Sequence, residues 1–259
     1  MNNLNILIVE GNNREDSQFF IKVVGSSAAD NLKNLILKIE PLSNVKIINP
    51  GRDDETTNAL KNMNQYNGVV FTGGAMRLND MTETIKKHIN FASNCFTQKK
   101  KILAICWGLQ VCSTAAGGRV NPGKNGAHIG IASDIIINND GQKHFIYKDK
   151  KKIFTSPAFN FDEVCELPKN AVLLSSDKIN NVMGVSFKAG NSEVIGLQYH
   201  PDYEYSQMLK LKEKLFINKN FSNEKEYETH ISFIKSENEL LNFNDRTREV
   251  RNWINYIKN

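Results

Sequence analysis

The chain has 259 residues, with 33 lysines and arginines against 28 aspartates and glutamates and a formal charge of +5. Its 40% hydrophobic and 24% charged residues suit a folded globular protein, and its length suits one large α/β domain or two small ones. The basic excess does not form a nucleic-acid module: Lys99–Lys101 and Lys150–Lys152 lack interleaved aromatics and read as solvated edges.

Leu4 to Val9 (LNILIV) is too short for a buried helix and reads as a strand covered on both faces. A helical stretch follows, best defined from Ala29 to Lys38 by Leu32, Leu35 and Ile36, and Pro41 closes it. Val45–Ile48 is a second strand, Thr56–Met63 a short helix, and Gly68–Thr72 a third strand. Met81–Phe96 has helical periodicity and Ile102–Ile105 is a fourth strand. Strands separated by helices imply right-handed βαβ units and a mostly parallel sheet. From Gly118 to Pro201 the pattern changes to β-branched and aromatic runs without long helices between them: Ile129–Ile137, Val172–Ser175, Val182–Phe187 and Val194–Tyr199. These are expected to add antiparallel strands to the same sheet. The fold class is therefore α/β, a mostly parallel, flavodoxin-like central sheet flanked by helices with added antiparallel strands. Residues 1–203 form that domain. Residues 204–259 are a polar, helical extension packed on it, with Val250, Trp253, Ile254 and Ile257 sharing one helical face.

The four cysteines, Cys95, Cys106, Cys112 and Cys165, show neither CxxC pairing nor zinc-ligand spacing, so free thiols in a cytoplasmic, reduced protein are expected and no metal is implied. The first ten residues lack the features of a signal peptide, and no apolar run reaches the ~18 residues of a membrane span.

One cysteine stands apart. In KILAICWGLQVCSTAAGG (Lys101–Gly118) an apolar strand runs straight into Cys106, and a helix-compatible segment, Trp107 to Ala116, leaves it. Ala104 and Gly108, two residues to either side, are small, as a nucleophile elbow requires, because the tight turn would otherwise bring their side chains into collision. A helix N-terminus beside the sulfur favours the thiolate, and the N–H groups of the turn can receive an oxyanion. Cys95, Cys112 and Cys165 lack this setting and read as packing. A thiolate nucleophile needs a base and a group that orients it. EVIGLQYHPDY (Glu193–Tyr203) delivers His200 at a strand end, fixed by Pro201, with Asp202 able to turn back onto the imidazole. His88 reads as a surface-helix residue, His128 and His144 as loop residues, and His230 as part of the tail.

AICWGLQ (Ala104–Gln110), GLQYHPD (Gly196–Asp202) and the FTGG of Phe71–Gly74 together resemble, in order and spacing, the class I glutamine amidotransferases over roughly Leu4 to Tyr203. The resemblance implies a cysteine hydrolase that cleaves the side-chain amide of glutamine through a γ-glutamyl thioester, needs no cofactor, and releases ammonia for a synthase. By position Cys106 would be the nucleophile, His200 the base and Asp202 its orienting carboxylate. The N–H groups of Gly74 and Trp107 would form the oxyanion hole. Gln110 and Gly73, with Asn160 and Phe161 of the FNFDEV segment (Phe159–Val164), would contact the substrate. Asp202 stands where the family usually has glutamate, with Glu204 as a substitute carboxylate; Leu109 and Asn160 stand where many members have histidine.

A stand-alone glutaminase is the leading expectation. No synthase domain is expected after Tyr203, where the chain is short and lacks a phosphate-binding loop, so the ammonia acceptor would be a separate chain. Three alternatives stand beside it: a γ-glutamyl hydrolase acting on other γ-glutamyl amides, a subunit active only when bound to its synthase, and a redox-sensing relative. In the last, Glu10 would face the cysteine, although it equally reads as a solvated strand-end residue.

Overall fold

The computed structural model describes residues 3–51, 55–217, 228, 231–232 and 239–258. The first four apolar runs become β1 (Asn5–Val9), β2 (Asn44–Ile48), β3 (Gly68–Phe71) and β4 (Lys101–Ile105). After them come β5 (Arg119–Pro122), β6 (His128–Ile137), β7 (Ile153–Asn160), β8 (Asp162–Glu166), β9 (Val172–Ser176), β10 (Gly184–Ala189) and β11 (Ser192–Leu197). Nine of them form one sheet in the order β2-β1-β3-β4-β11-β10-β9-β6-β7, and β5 and β8 pair separately. Pairing is parallel from β2 through β11 and antiparallel beyond. The parallel half with antiparallel strands added to it is the expected fold.

Helices with described bounds are α1 (Arg14–Val24), α2 (Ala28–Ile39), α3 (Glu55–Lys61), α4 (Glu83–Phe96), α5 (Trp107–Ala115), α6 (Asn139–Lys143), α7 (Tyr205–Ile217), α8 (Glu239–Arg246) and α9 (Arg248–Lys258). Successive strand residues point to opposite faces, and the core divides accordingly. Ile6, Ile8, Val70 and Leu103 meet α2 together with Val250, Trp253, Ile254 and Ile257 of α9. Leu7, Val9, Phe71 and Ala104 meet α4 and α5 on the other side. Among the described residues no helix is long and apolar enough to cross a membrane.

Several local expectations are corrected. α1 is a helix of its own, with Asn13 capping Asp16 N–H and Gly25 in the left-handed region closing it. Its apolar face is weak, burying only Ser17 and Val24 fully. β7 was missed because Pro157 interrupts the strand pattern; proline lacks a donor and is tolerated because β7 lies at an edge. His88 is not on the surface: it is fully buried, its ring edge-on to Trp107 with centroids 5.0 Å apart. His128 begins β6 and pairs with buried Asp177 at 2.9 Å. Lys100 is buried and donates to the Tyr66 carbonyl at 2.6 Å, and buried Lys150 pairs with Glu249 at 3.2 Å, so neither lysine run is simply a solvated edge. Cys165 is exposed rather than packed, while Cys95 and Cys112 are buried and Cys112's thiol is pushed up by burial. His230 lies outside the described residues.

Candidate active site

The C-terminal ends of β3, β4 and β11 lie side by side, and each delivers one of the three sequence motifs. Adjacent strands sit only ~4.8 Å apart, so residues just past their ends converge without long side chains having to reach. β3 runs into Gly73-Gly74, β4 into Cys106, and β11 through Gln198 to His200.

Cys106 sits between β4 and α5 with φ 50° and ψ −109°, a conformation that costs a residue bearing a side chain about 1–3 kcal/mol. Its N–H donates to the Leu197 carbonyl at 2.7 Å, which ties the elbow to β11. Packing enforces the small flanking residues: a Cβ on Gly108 would lie 2.5 Å from the Phe71 carbonyl oxygen, and Ala104 is fully buried. The Cys106 side chain makes no cap bond to α5, and Trp107 is the first helical residue, where the helix itself supplies no acceptor for the N–H.

His200 is buried, with its ring Nδ1 3.1 Å from Asp202 Oδ1. The shorter side chain of aspartate therefore reaches the imidazole, while Glu204 instead accepts from Ser206 Oγ. The His200 backbone N–H donates to the Pro157 carbonyl of β7 at 2.7 Å, and its ring stands edge-on to Tyr203. Burial by itself would push the imidazole down, but the negative charges of Cys106 and Asp202 and their hydrogen bonds to the ring win and push it up to about 10. The ring therefore holds its proton more strongly than a free imidazole. Gly73 admits this arrangement: a Cβ there would lie 2.5 Å from His200 Cε1 and 3.6 Å from Cys106 Cβ.

A cavity of about 290 Å³ opens onto Cys106 and His200, and Gly73, Gly74, Trp107, Gln110, Asn160 and Phe161 all line it. The structure thus brings together all nine sequence-nominated residues except Asp202, which stands behind His200. Gln110 is occupied, its amide donating to the Asp162 carbonyl at 2.9 Å and to Gln198 Oε1 at 3.4 Å. Asn160 is buried, and Phe161, 44% exposed, faces the mouth. Sequence reasoning missed Gln198, which is fully buried and donates to Cys106 Sγ at 3.5 Å. It lies two residues before His200 within the GLQYHPD motif, so the signal was there. Arg77 and Asp162 were also missed; both line the cavity and are bonded to each other.

Glu10 is not solvated. It is 1% exposed and accepts the N–H groups of Asn12 and Ala29, the latter at the start of α2. Among the described residues no group of three or more His, Cys, Asp or Glu side chains is arranged to hold a metal ion.

The sequence model of the family "Glutamine amidotransferase class-I" matches residues 24–219. A γ-glutamyl-L-1-hydroxyisopropylamide hydrolase from a Pseudomonas species is 27% identical over 205 residues, 78% of this chain and 68% of that protein. γ-Glutamyl peptidase 5 of Arabidopsis thaliana is 33% identical over 149 residues; the match takes in 55% of this chain and only 56% of the peptidase. Among solved structures, a glutamine amidotransferase from Thermotoga maritima superposes with a TM-score of 0.69 at 15% identity, covering 99% of both chains, which establishes likeness of fold.

Proposed function

The chain belongs to the class-I glutamine amidotransferase family, and on that premise we propose that it hydrolyses a γ-glutamyl amide through a thioester on Cys106. The observation that carries the reading is the buried ring of His200, bonded to Asp202 on one side and lining the same cavity as Cys106.

The thiolate of Cys106 attacks the γ-carbonyl carbon, and the carbonyl oxygen becomes an oxyanion facing the N–H groups of Gly74 and Trp107. His200 gives its proton to the departing nitrogen, the C–N bond breaks, and ammonia or an amine leaves. Neutral His200 then takes a proton from water as its oxygen attacks the thioester, releasing glutamate and the thiolate. Asp202 keeps the imidazole oriented throughout, as the third member of such a triad does. The chemistry draws on no metal or organic cofactor. The free thiols of this chain fit a reducing compartment such as the cytoplasm.

With glutamine as substrate the protein is a glutaminase, and its ammonia would pass to a separate synthase. A second reading, an amine larger than ammonia as leaving group, is favoured by the cavity wall: Phe19, Phe20, Met208 and Leu211 of α1 and α7 line it, and ammonia has no use for an apolar surface. Two relatives are named for hydrolysis of γ-glutamyl compounds, in keeping with that reading. The test is mass spectrometry of wild type and Cys106→Ser after mixing with glutamine and with γ-glutamyl-n-butylamide. A glutamyl adduct on Cys106 and product release by wild type alone are expected, with the butylamide turned over faster. Product formation by Cys106→Ser at the wild-type rate refutes the mechanism, and a preference for glutamine returns the reading to a glutaminase.

A further inference from the structure

A hydrogen-bond donor that stabilises an oxyanion has to be aimed before the charge develops. We infer that Thr72 and Asn12 are the positioning residues that aim the Gly74 N–H, an inference that rests on the γ-glutamyl reading of the site.

The Gly74 N–H belongs to the peptide whose carbonyl is that of Gly73, and a trans peptide sets the two groups on opposite sides. Whatever holds the carbonyl therefore sets the direction of the N–H. The fully buried Thr72 hydroxyl donates to that carbonyl at 3.0 Å. It is fixed in turn by the Gly11 N–H, which donates to it at 2.8 Å. A hydroxyl has one proton to give, and here it is committed to Gly73. The carbonyl lies on the β1 side of β3, because a Cβ on Gly11 would stand 2.5 Å from its oxygen. β4, which ends at Cys106, lies on the other side, since the sheet runs β1-β3-β4. The Gly74 N–H consequently points away from β1, toward the side of the sulfur. Among the described residues it has no acceptor.

Asn12 secures the far end of the same turn. Its Oδ1 accepts the Ala75 N–H at 2.8 Å, so the peptide after Gly74 is held as well as the one before it. Asn12 is fully buried, and its own backbone is gripped on both sides. Its N–H donates to Glu10 Oε1 at 3.1 Å, and its carbonyl accepts from Asn49 Nδ2 at 2.7 Å. The second oxygen of Glu10 accepts the Ala29 N–H at 2.9 Å, which ties the turn to the start of α2. Glu10, a buried carboxylate that the proton transfers do not use, is thus the anchor of Asn12. Neither Thr72 nor Asn12 is among the residues lining the cavity, so both act through the backbone of residues 73–75.

The experiment compares γ-L-glutamyl-p-nitroanilide with its analogue carrying sulfur in place of the γ-carbonyl oxygen. Sulfur is a weak acceptor, so the oxygen-to-sulfur ratio of kcat reads how well the N–H groups meet the oxyanion, which a general loosening of the fold would not change. Thr72→Val, close in shape, should lower kcat for the oxygen compound on the order of 10- to 100-fold, part of the roughly 100- to 1,000-fold that a whole donor is worth, with KM within about threefold of wild type. The oxygen-to-sulfur ratio should shrink with it. Thr72→Ser keeps the hydroxyl and should recover most of both losses. Asn12→Ala should act in the same direction as Thr72→Val, and decides the matter should that variant fail to fold. A folded Thr72→Val or Asn12→Ala enzyme that keeps the wild-type ratio overturns the inference, and so does Thr72→Ser as impaired as Thr72→Val. A glutamyl adduct on Cys106 of wild type marks that failure as the inference's alone. No adduct from any γ-glutamyl compound overturns the function and the inference together.

Discussion

Replacing Asp202 by asparagine tests the electrostatics of the site most sharply. The Asp202 side chain is fully buried and its Oδ1 lies 3.1 Å from His200 Nδ1. The imidazole, ordinarily at 6.5, is pushed up to about 10 because, although burial lowers it, the charges of Cys106 and then Asp202 raise it more. Asparagine keeps the size of the side chain and removes the second of those charges. A neighbouring opposite charge is worth roughly one to three pH units, so the alkaline limb of the activity profile, where His200 loses the proton destined for the leaving group, should move down by that amount from about pH 10. Each unit corresponds to about 1.36 kcal/mol of preference for the imidazolium. Asparagine can also turn its amide N–H toward Nδ1 and stabilise the wrong tautomer, and kcat should fall by on the order of 100- to 10,000-fold. The assay is kcat/KM for a γ-glutamyl amide across pH 5–11 in wild type and Asp202→Asn, with circular dichroism to check the fold. An alkaline limb unmoved by the substitution, or a kcat within threefold of wild type, would refute the assignment of Asp202 to His200.

Gly73→Ala should fold and lose at least ~100-fold in kcat, because its Cβ would stand 2.5 Å from His200 Cε1 and displace the ring; activity assays with a crystal structure of the variant check it. Stability should depend on pH through His200. Its folded-state value lies above the ~6.5 of an unfolded imidazole, so its stabilisation is complete below that pH and is lost as pH rises through about 10. Urea unfolding at intervals between those limits should therefore show stability falling with pH, and falling less steeply in Asp202→Asn. Arg246→Met removes the donor to the Pro201 carbonyl (2.7 Å), a buried charge-assisted bond whose loss should cost about 1.5–3 kcal/mol of stability. It should also lower kcat while leaving KM and the pH profile nearly unchanged; a loss of stability alone would mark Arg246 as structural.

The parallel half of the sheet was legible because each buried strand is a continuous apolar run bounded by a turn, as in LNILIV, and because Ala104 and Gly108 flank Cys106 as only a tight elbow requires. The site residues carried by strand ends were legible for the same reason: position along β3, β4 and β11 fixes position in space. What stayed hidden depends on contacts between segments distant in sequence. Nothing local to Arg77 announces that Asp162, 85 residues on, will lie opposite it. His88 reads as a surface residue in a polar helix, yet it faces inward because Trp107 offers it an edge-on partner. α1 had the local signals, Asn13 before it and Gly25 after it, but its stripe of Phe19, Phe20 and Val23 is only partly buried and so gives a weak period.

The His200 loop shows how far the site's precision extends beyond the segment that carries the family pattern. That pattern spans residues 24–219, yet the groups that hold the loop from behind come from later in the chain. Arg246, at the end of α8, donates to Pro201, the residue after His200. Glu249, in α9, accepts from Tyr199 OH at 2.7 Å, the residue before it, and buried Lys150 neutralises Glu249 from the other side. His200 is thus gripped on both flanks by groups 45 to 50 residues downstream, and Trp253 and Ile257 keep those groups in place by packing against Gly68 on β3. Fixing a loop this way costs conformational entropy that only tertiary burial can offset, here the apolar face of α9. His200 is therefore held by segments far apart in the chain, while its pKa is set by burial, which lowers it, and by Cys106 and Asp202, which raise it more. Substitutions behind the loop should blur the geometry of proton transfer, whereas substitutions at Asp202 change its energetics, and the two classes separate in the pH profile.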